Sequence, residues 1–343
     1  MNRFQKLAAA ALVSLLLLIF VGAIVRVTGA GMGCPDWPTC WGCLIPPTSV
    51  EQVNFDQLPI DVFKSKAARM GRDPSDITQQ NLRAEFNPQH VWTEFINRLC
   101  TMPVGILSLA TFIAAFAQRR ARPWVLVMAF AGLLVVLINA WMGRNVVYSG
   151  LKPGVLTAHL ALAMALTGIL VFCAWGGCAK PWRIQMPVKP LARSRRLVTA
   201  LLIFVVIEGI LGAQVRELTD EMAKGHDHSP QAANRSSWID QLESSGLYLV
   251  HRSGSWLIFF WASYCWWHSK RHTTGGRQHW SEHGIIAIVW MQMLLGVTMS
   301  QIHIYAWVQV LHVGFAAILL SLLWLWRFGL SAPNYPAQDH QSL

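Results

Sequence analysis

Charged side chains are scarce in this chain. Asp, Glu, Lys and Arg make up 13% of its 343 residues, and 54% of the residues are hydrophobic. A soluble domain has about 25% charged residues, so the composition excludes an ordinary soluble fold. Several apolar runs approach the roughly 20 residues that cross a bilayer as a helix. The sequence therefore predicts an all-α membrane protein embedded in a lipid bilayer.

Acidic residues are fewer than basic ones, 17 against 28, which gives a formal net charge of +11. Such a charge can indicate nucleic-acid binding. Here, however, Lys and Arg concentrate in alternate loops, with three in 118–123, six in 176–196 and three in 268–283. The positive-inside rule assigns such loops to the cytoplasmic side. We therefore expect no nucleic-acid partner and both termini on the inner side, which is the cytoplasm or the mitochondrial matrix. Of the two membranes, we favour the bacterial cytoplasmic membrane over the mitochondrial inner membrane.

The first apolar run lacks the short core and the small-residue cleavage site of a secretory signal peptide. We expect it to be retained as the first of eight membrane spans. The predicted spans are 7–27, 94–117, 124–143, 155–175, 197–215, 247–267, 284–300 and 304–326. Loops 28–93 and 217–246 then lie on the outer side, where each is expected to fold as a small cap.

The second half of the chain repeats glycine and polar positions of the first half. The matched positions are Gly22 with Gly212, Arg26 with Arg216, Asn97 with His251, Arg98 with Arg252, Asn139 with Gln292, Gly143 with Gly296 and His159 with His312. The repeat predicts eight helices as two pseudo-symmetric four-helix bundles, related by an axis along the membrane normal. The predicted parts are the first half 1–175, an inner basic linker 176–196, the second half 197–326 and an inner tail 327–343.

His251 and His312 are the strongest candidates for iron ligands. They lie at similar predicted depth, because spans six and eight begin on the same side of the membrane. Two facing imidazoles in a helix bundle suit the axial positions of a haem iron. The alternative is a pair of hydrogen-bonded core histidines. The matching depth of the two residues favours a metal or haem site.

The first half has His159 at the position of His312, but Asn97 at the position of His251. Asparagine is a poor iron ligand and a good hydrogen-bonding group. We therefore expect a site with one histidine and an open coordination position. Glu94, one turn before Asn97, can stabilise a positive charge or move protons. The alternative is a structural ion pair between Glu94 and Arg98.

Four arginines lie near the outer ends of predicted spans. They can bind haem propionates through paired hydrogen bonds, or they can extend to the membrane interface. These arginines are Arg26, Arg98, Arg216 and Arg252. A carboxyl group within span five, Glu208, is either protonated and hydrogen-bonded or part of the site.

The first outer loop contains Cys34, Cys40 and Cys43, whereas loop 217–246 contains no cysteine. Cys40 and Cys43 form a C-x-x-C motif, but Leu44 follows it instead of histidine, which argues against covalent c-type haem attachment. The outer compartment permits disulfides. We expect Cys34 to pair with Cys40 or with Cys43.

Several of these stretches, taken together, resemble one known family, the haem A synthases. The stretches are 26–31, 34–38, 94–98, 251–252 and 292–296, together with His159 and His312. The resemblance implies two pseudo-symmetric bundles, with a haem b between His251 and His312 in the second. It implies that the first bundle takes haem O and oxidises its C8 methyl group to a formyl group. Glu94 would then lie near the reacting carbon, and His159 would be an iron ligand.

The family's common pattern has a histidine where this chain has Asn97, so the chain is a variant with one iron ligand fewer. We expect an oxidoreductase that makes haem A for cytochrome c oxidase assembly, with haem b as electron relay. Asn97, Arg98 and Arg26 would line the substrate site, and Arg216 and Arg252 would contact haem b. The expected partners are haem O synthase and oxidase assembly factors. The sequence does not decide whether the chain forms a homo-oligomer.

Two other functions are alternatives. An inactive haem carrier or assembly protein is suggested by the missing histidine ligand. A di-haem b protein that transfers electrons from quinol would need four histidine ligands, and the repeat supplies three. A histidine-lined ion transporter is less favoured, because the sequence lacks the helices broken at mid-membrane that such sites use.

Overall fold

Long helices make up most of the structure. A computed structural model describes residues 1–69, 73–223, 237–275 and 278–331, and it is 80% helical. No strand occurs within these ranges. The helices are α1 (Arg3–Val27), α2 (Ile60–Arg69), α3 (Gln79–Glu85), α4 (Pro88–Ala115), α5 (Pro123–Tyr148), α6 (Pro153–Gly176), α7 (Val188–Ala223), α8 (Ser237–Ser244), α9 (Gly246–His272), α10 (Trp280–Val297) and α11 (Ala306–Gly329).

Each predicted span lies on one of these long helices. In the described part of the chain, seven helices are long and apolar enough to cross a membrane: α1, α4, α5, α6, α7, α10 and α11. The protein is therefore a multi-pass integral membrane protein. The predicted sixth span corresponds to α9, which has 27 residues but is less apolar and is not among the seven.

Local sequence signals begin several helices. Pro88 and Pro123 stand at the first turns of α4 and α5, where a missing N–H costs nothing. The Asn87 side chain accepts hydrogen bonds from the N–H groups of Gln89 and His90, which caps α4. The Ser245 side chain accepts from the N–H of Tyr248 and caps α9 in the same way.

The helices pack on one another both within and between the two halves of the chain. In the first half, α1 packs on α4 and α6, and α5 packs on the same two helices. In the second half, α7 packs on α9 and α11, and α10 packs on α9 and α11. The halves meet where α11 contacts α1 and α6, and where α6 contacts α7. An edge-to-face contact between Phe20 and Phe315 lies in the α1–α11 interface.

The segment that follows α1 folds as a cap on the outer end of α4. We call this end of the helices the outer end. The cap contains α2, α3 and short 3₁₀ turns around an apolar core of its own. This core includes Cys34, Trp41, Phe55, Phe63 and Leu82. In the second loop, α8 is present and residues 224–236 lie outside the described ranges, as do residues 332–343 of the predicted tail.

Candidate functional site

His251 lies on α9 with its ring against α7. A Cβ atom added to Gly212 would lie 3.0 Å from Cε1 of His251, so a side chain there would crowd the ring. The Nδ1 atom of His251 is 2.9 Å from Oε1 of Glu208, one turn before Gly212 on α7. This close contact is not aligned as a hydrogen bond. The Ser255 hydroxyl donates to the same carboxylate oxygen at 3.2 Å.

His312 lies on α11, close enough to His251 for charges on the two rings to interact. The side-chain amide of Gln292 donates a hydrogen bond of 2.8 Å to the backbone carbonyl of His312 and ties α10 to α11. The two predicted ligands of the second half thus lie on different helices of that half, α9 and α11.

The first half has the same arrangement with different side chains. A Cβ atom added to Gly22 of α1 would lie 3.9 Å from Oδ1 of Asn97 on α4. Asn97 therefore faces Gly22 as His251 faces Gly212. His159 on α6 lies beside the backbone of Asn139, and its Cε1 would be 3.4 Å from a Cβ added to Gly143.

Buried polar atoms without a hydrogen-bond partner mark both regions. Within the described residues, these atoms include Nδ1 of His159, His251 and His312, Oδ1 of Asn97 and Asn139, and Oε1 of Gln292. A native protein leaves few such atoms, and each one calls for an explanation such as an unplaced water or ligand. Several of these atoms belong to the histidines predicted as iron ligands and to residues beside them, so the residues present fit haem binding.

The donor set suits a haem better than a bare metal ion. No group of three or more His, Cys, Asp or Glu residues that could hold an ion occurs in the described part of the chain. A protein-bound zinc ion takes at least three protein ligands. Two imidazoles suffice for iron only when a macrocycle supplies the remaining ligands.

Glu94 and Arg98 form the ion pair that the sequence left as an alternative. The Glu94 side chain is buried, and its Oε1 atom lies 2.5 Å from Nη2 of Arg98. Its other oxygen accepts a 2.8 Å hydrogen bond from the N–H of Cys34. The Arg98 guanidinium also donates to the backbone carbonyls of Cys34, Asp36 and Thr39, at 2.9–3.0 Å. The pair thus fastens the first outer loop to α4.

A disulfide closes this same loop. Cys34 pairs with Cys40, one of the two pairings left open by the sequence, and Cys43 is free. Cys40 and Cys43 are joined only by two backbone hydrogen bonds. Asp36 was not singled out by the sequence, yet it is buried and accepts hydrogen bonds from the N–H groups of Trp41 and Gly42.

The two repeat-related arginines, Arg26 and Arg216, meet at a carboxylate that the sequence analysis missed. Nη2 of Arg26 lies 3.1 Å from one oxygen of Asp220, and Nη2 of Arg216 lies 2.8 Å from the other. The spacing of Arg216 and Asp220, four residues apart on a helix, is a recognisable signal for an ion pair. Arg252 is exposed on α9.

Comparison with known proteins agrees with the family resemblance of the sequence. Residues 5–324 match the model of a family described as cytochrome oxidase assembly protein. A haem A synthase of Flavobacterium psychrophilum is 21% identical over 319 residues, which span 89% of this chain and 91% of the relative. One of Allorhizobium ampelinum is 24% identical, over 90% of this chain and 85% of the relative. One of Shewanella oneidensis is 28% identical over 160 residues, and there the chain spans only 41% of the relative.

Proposed function

This chain belongs to the family of cytochrome oxidase assembly proteins, and from that membership we propose that it oxidises the C8 methyl group of haem O to a formyl group. The relatives compared are haem A synthases, so the chain belongs to a family of enzymes. The product would be haem A, and its destination cytochrome c oxidase. Haem O synthase and oxidase assembly factors would be its partners.

The proposed membrane topology has eight spans: the seven long apolar helices and, as the sixth in chain order, α9. This helix has 27 residues and packs on both α7 and α10. It exposes Trp256, Leu257 and Phe260, at 48%, 49% and 62%, which suits contact with lipid. His251 and Arg252 lower its average apolarity, as expected for a span that carries polar groups for function. The helices then form two bundles, with both termini inside a bacterial cytoplasmic membrane.

The second bundle would hold haem b between His251 and His312. When bound, this haem supplies an iron that takes up and releases one electron at a time. The chain's own residues hold the ligands in place: Gly212 gives His251 its room, and Gln292 fixes the backbone of His312. Arg216 and the exposed Arg252 lie where propionates at the outer end could be bound.

The first bundle would hold haem O, with His159 as its one protein ligand. The observation that carries this proposal is the equivalence of two contacts, Gly22 with Asn97 and Gly212 with His251. The backbone geometry of an iron site is repeated, but one imidazole is replaced by an amide. One ligand fewer leaves an iron position open and lets the product depart. Haem b, as a permanently bound electron carrier, would not need to leave its site and can keep two ligands.

Glu94 would supply negative charge at the outer end of the substrate site. Two successive hydroxylations of the methyl carbon would each add the oxygen of one water molecule and remove two electrons and two protons. The resulting gem-diol loses water to form the aldehyde, and the four electrons pass to an acceptor. A fixed carboxylate stabilises positive charge that develops at the reacting carbon. Arg98 and the N–H of Cys34 hold the carboxylate in one position, so the ion pair and the catalytic role are compatible. Arg26 would contact the propionates of haem O.

The test is to express the full chain in membranes that contain haem O and to identify the extracted haems by chromatography and mass. Haem A should form, and His159→Ala should abolish it. Glu94→Gln should lower the rate while leaving haem b bound. If haem b is bound and haem O stays unconverted, the chain is a haem-binding assembly protein instead. Two tightly bound haems b that quinol reduces would favour the electron-transfer alternative.

A further inference from the structure

We propose that Glu208 is a positioning residue for the second bundle, whose carboxylate holds the imidazole of His251 at Nδ1 and so sets the orientation and basicity of an iron ligand. The assignment rests on the proposed haem b site. It concerns a contact between two side chains of this chain, the 2.9 Å approach of Nδ1 to Oε1.

The carboxylate of Glu208 is buried and is contacted by a serine of α9. The residue is buried, with 6% of its surface exposed. The Ser255 hydroxyl has two acceptors within reach of its single proton, Oε1 at 3.2 Å and the backbone carbonyl oxygen of His251 at 3.0 Å. The serine therefore links the carboxylate to the same turn of α9 that carries His251.

Glycines make the space for this arrangement. Glu208 and Gly212 are four residues apart and lie on the same face of α7. Gly212 leaves room for the edge of the His251 ring. On α9, Gly254 leaves room for the carboxylate, because an added Cβ atom would collide with Oε2 of Glu208. Both helices thus lack a side chain where the histidine and the carboxylate meet.

The first half provides an internal comparison. The residue one turn before Gly22 is Leu18, at the position that Glu208 occupies before Gly212. The half with Asn97 therefore has an apolar side chain where the half with His251 has a carboxylate. An ionisable group within a membrane span is costly and marks function by default. Here the carboxylate accompanies the imidazole and is absent where the imidazole is absent.

A carboxylate at the second ring nitrogen has a known effect on a metal ligand. It fixes the tautomer, so that the other nitrogen faces the metal, and it raises the basicity of the ligand. A more basic ligand favours the oxidised iron and lowers the reduction potential. Within the described residues, neither Nδ1 atom, of His251 or of His312, has an aligned hydrogen-bond partner, but Nδ1 of His251 lies 2.9 Å from the Glu208 carboxylate. The two ligands of haem b would therefore differ, with His251 the more basic.

The experiment measures the reduction potential and the low-spin electron paramagnetic resonance spectrum of haem b in the purified full-length protein. Glu208→Gln keeps the shape of the side chain and removes its charge. We expect it to favour the reduced haem about tenfold, a rise of about 59 mV for one electron, with altered g-values. Glu217→Gln is the control, since this carboxyl group on the same helix bonds Thr157 and not His251.

A second variant covers the case in which Glu208→Gln does not fold. Gly254→Ala keeps the carboxylate but displaces it, and alanine suits a helix better than glycine. The reduction potential of haem b in this variant should also rise. If haem b stays bound and both potential and g-values match wild type in the variant that folds, the role of Glu208 is wrong and the haem site stands. If wild type binds no haem b, or His251→Ala leaves its spectrum unchanged, the haem site itself is wrong and the inference falls with it.

Discussion

Arg26 and Arg216, which occupy equivalent positions in the two halves, bind the two oxygens of one carboxylate, that of Asp220. The contact joins α1 to α7 at the outer end. Two arginines so close repel each other unless an anion lies between them. Asp220 supplies that anion, and haem propionates would add others nearby.

Asp220→Asn should therefore destabilise the contact between the halves. The groups are partly exposed, at 28% for Arg26 and 38% for Asp220, so we expect a loss of about 1 kcal/mol or less. Thermal unfolding in detergent, at low and at high salt, measures it. The loss should shrink as salt rises, because screening weakens exposed charges. A loss independent of salt would contradict an electrostatic tie.

Arg98→Ala should be among the most damaging single changes at the outer end of α4. It removes three hydrogen bonds to the loop and leaves the buried Glu94 carboxylate without its cation. Breaking a buried ion pair by removing one partner costs about 3–5 kcal/mol. The thermal midpoint of the purified protein reports the loss.

The double variant Glu94→Gln with Arg98→Ala is the matched control, because it removes both charges. It should be more stable than Arg98→Ala alone. If the two variants unfold at the same temperature, the ion pair contributes nothing and the loss comes from the loop contacts alone.

Cys34→Ser and Cys40→Ser should each loosen the first outer loop. A disulfide across so short a loop stabilises by about 2 kcal/mol in the chain-entropy model. Limited proteolysis of the cap, with and without a reducing agent, measures the change. Cys43→Ser is the control and should resist proteolysis like wild type, since Cys43 is free. Equal protection in all three variants would show that the bridge does not hold the loop.

Asn97→His should give the first half a second iron ligand. Gly22 faces this position as Gly212 faces His251, so the backbone already allows an imidazole to approach. We expect the substrate haem to become low-spin and to stay bound through purification, and product release to slow. Optical and magnetic spectra, with the rate of haem A formation, check this. An unchanged spin state would contradict the equivalence of the two positions.

The long helices were predictable because their apolar runs have the length of a bilayer crossing. The start of α4 at Pro88, six residues before the predicted span, was not predicted. The repeat predicted which residues would correspond, and Asn97 and His251 do face corresponding glycines. Apolar length and an internal repeat can both be read from a single sequence, because neither depends on contacts between distant parts of the chain.

The partners of the charged groups were not predictable in the same way. From the sequence, Arg26 and Arg216 were candidates to bind haem propionates, but in the structure Asp220 lies between them. No partner was predicted for Glu208, which lies beside His251. Such contacts depend on how helices distant in sequence rotate against each other. The choice of Cys40 over Cys43 likewise depends on the turn of the outer loop, which spacing alone does not fix.

The length of α7 has a mechanical consequence. Its 36 residues extend about 54 Å, whereas the hydrocarbon core of a bilayer is about 30 Å thick. At its inner end Ser194 contacts His268 on α9, and at its outer end it carries Asp220. One continuous helix of this length therefore connects the basic segment at its inner end with Glu208 and Asp220 towards its outer end.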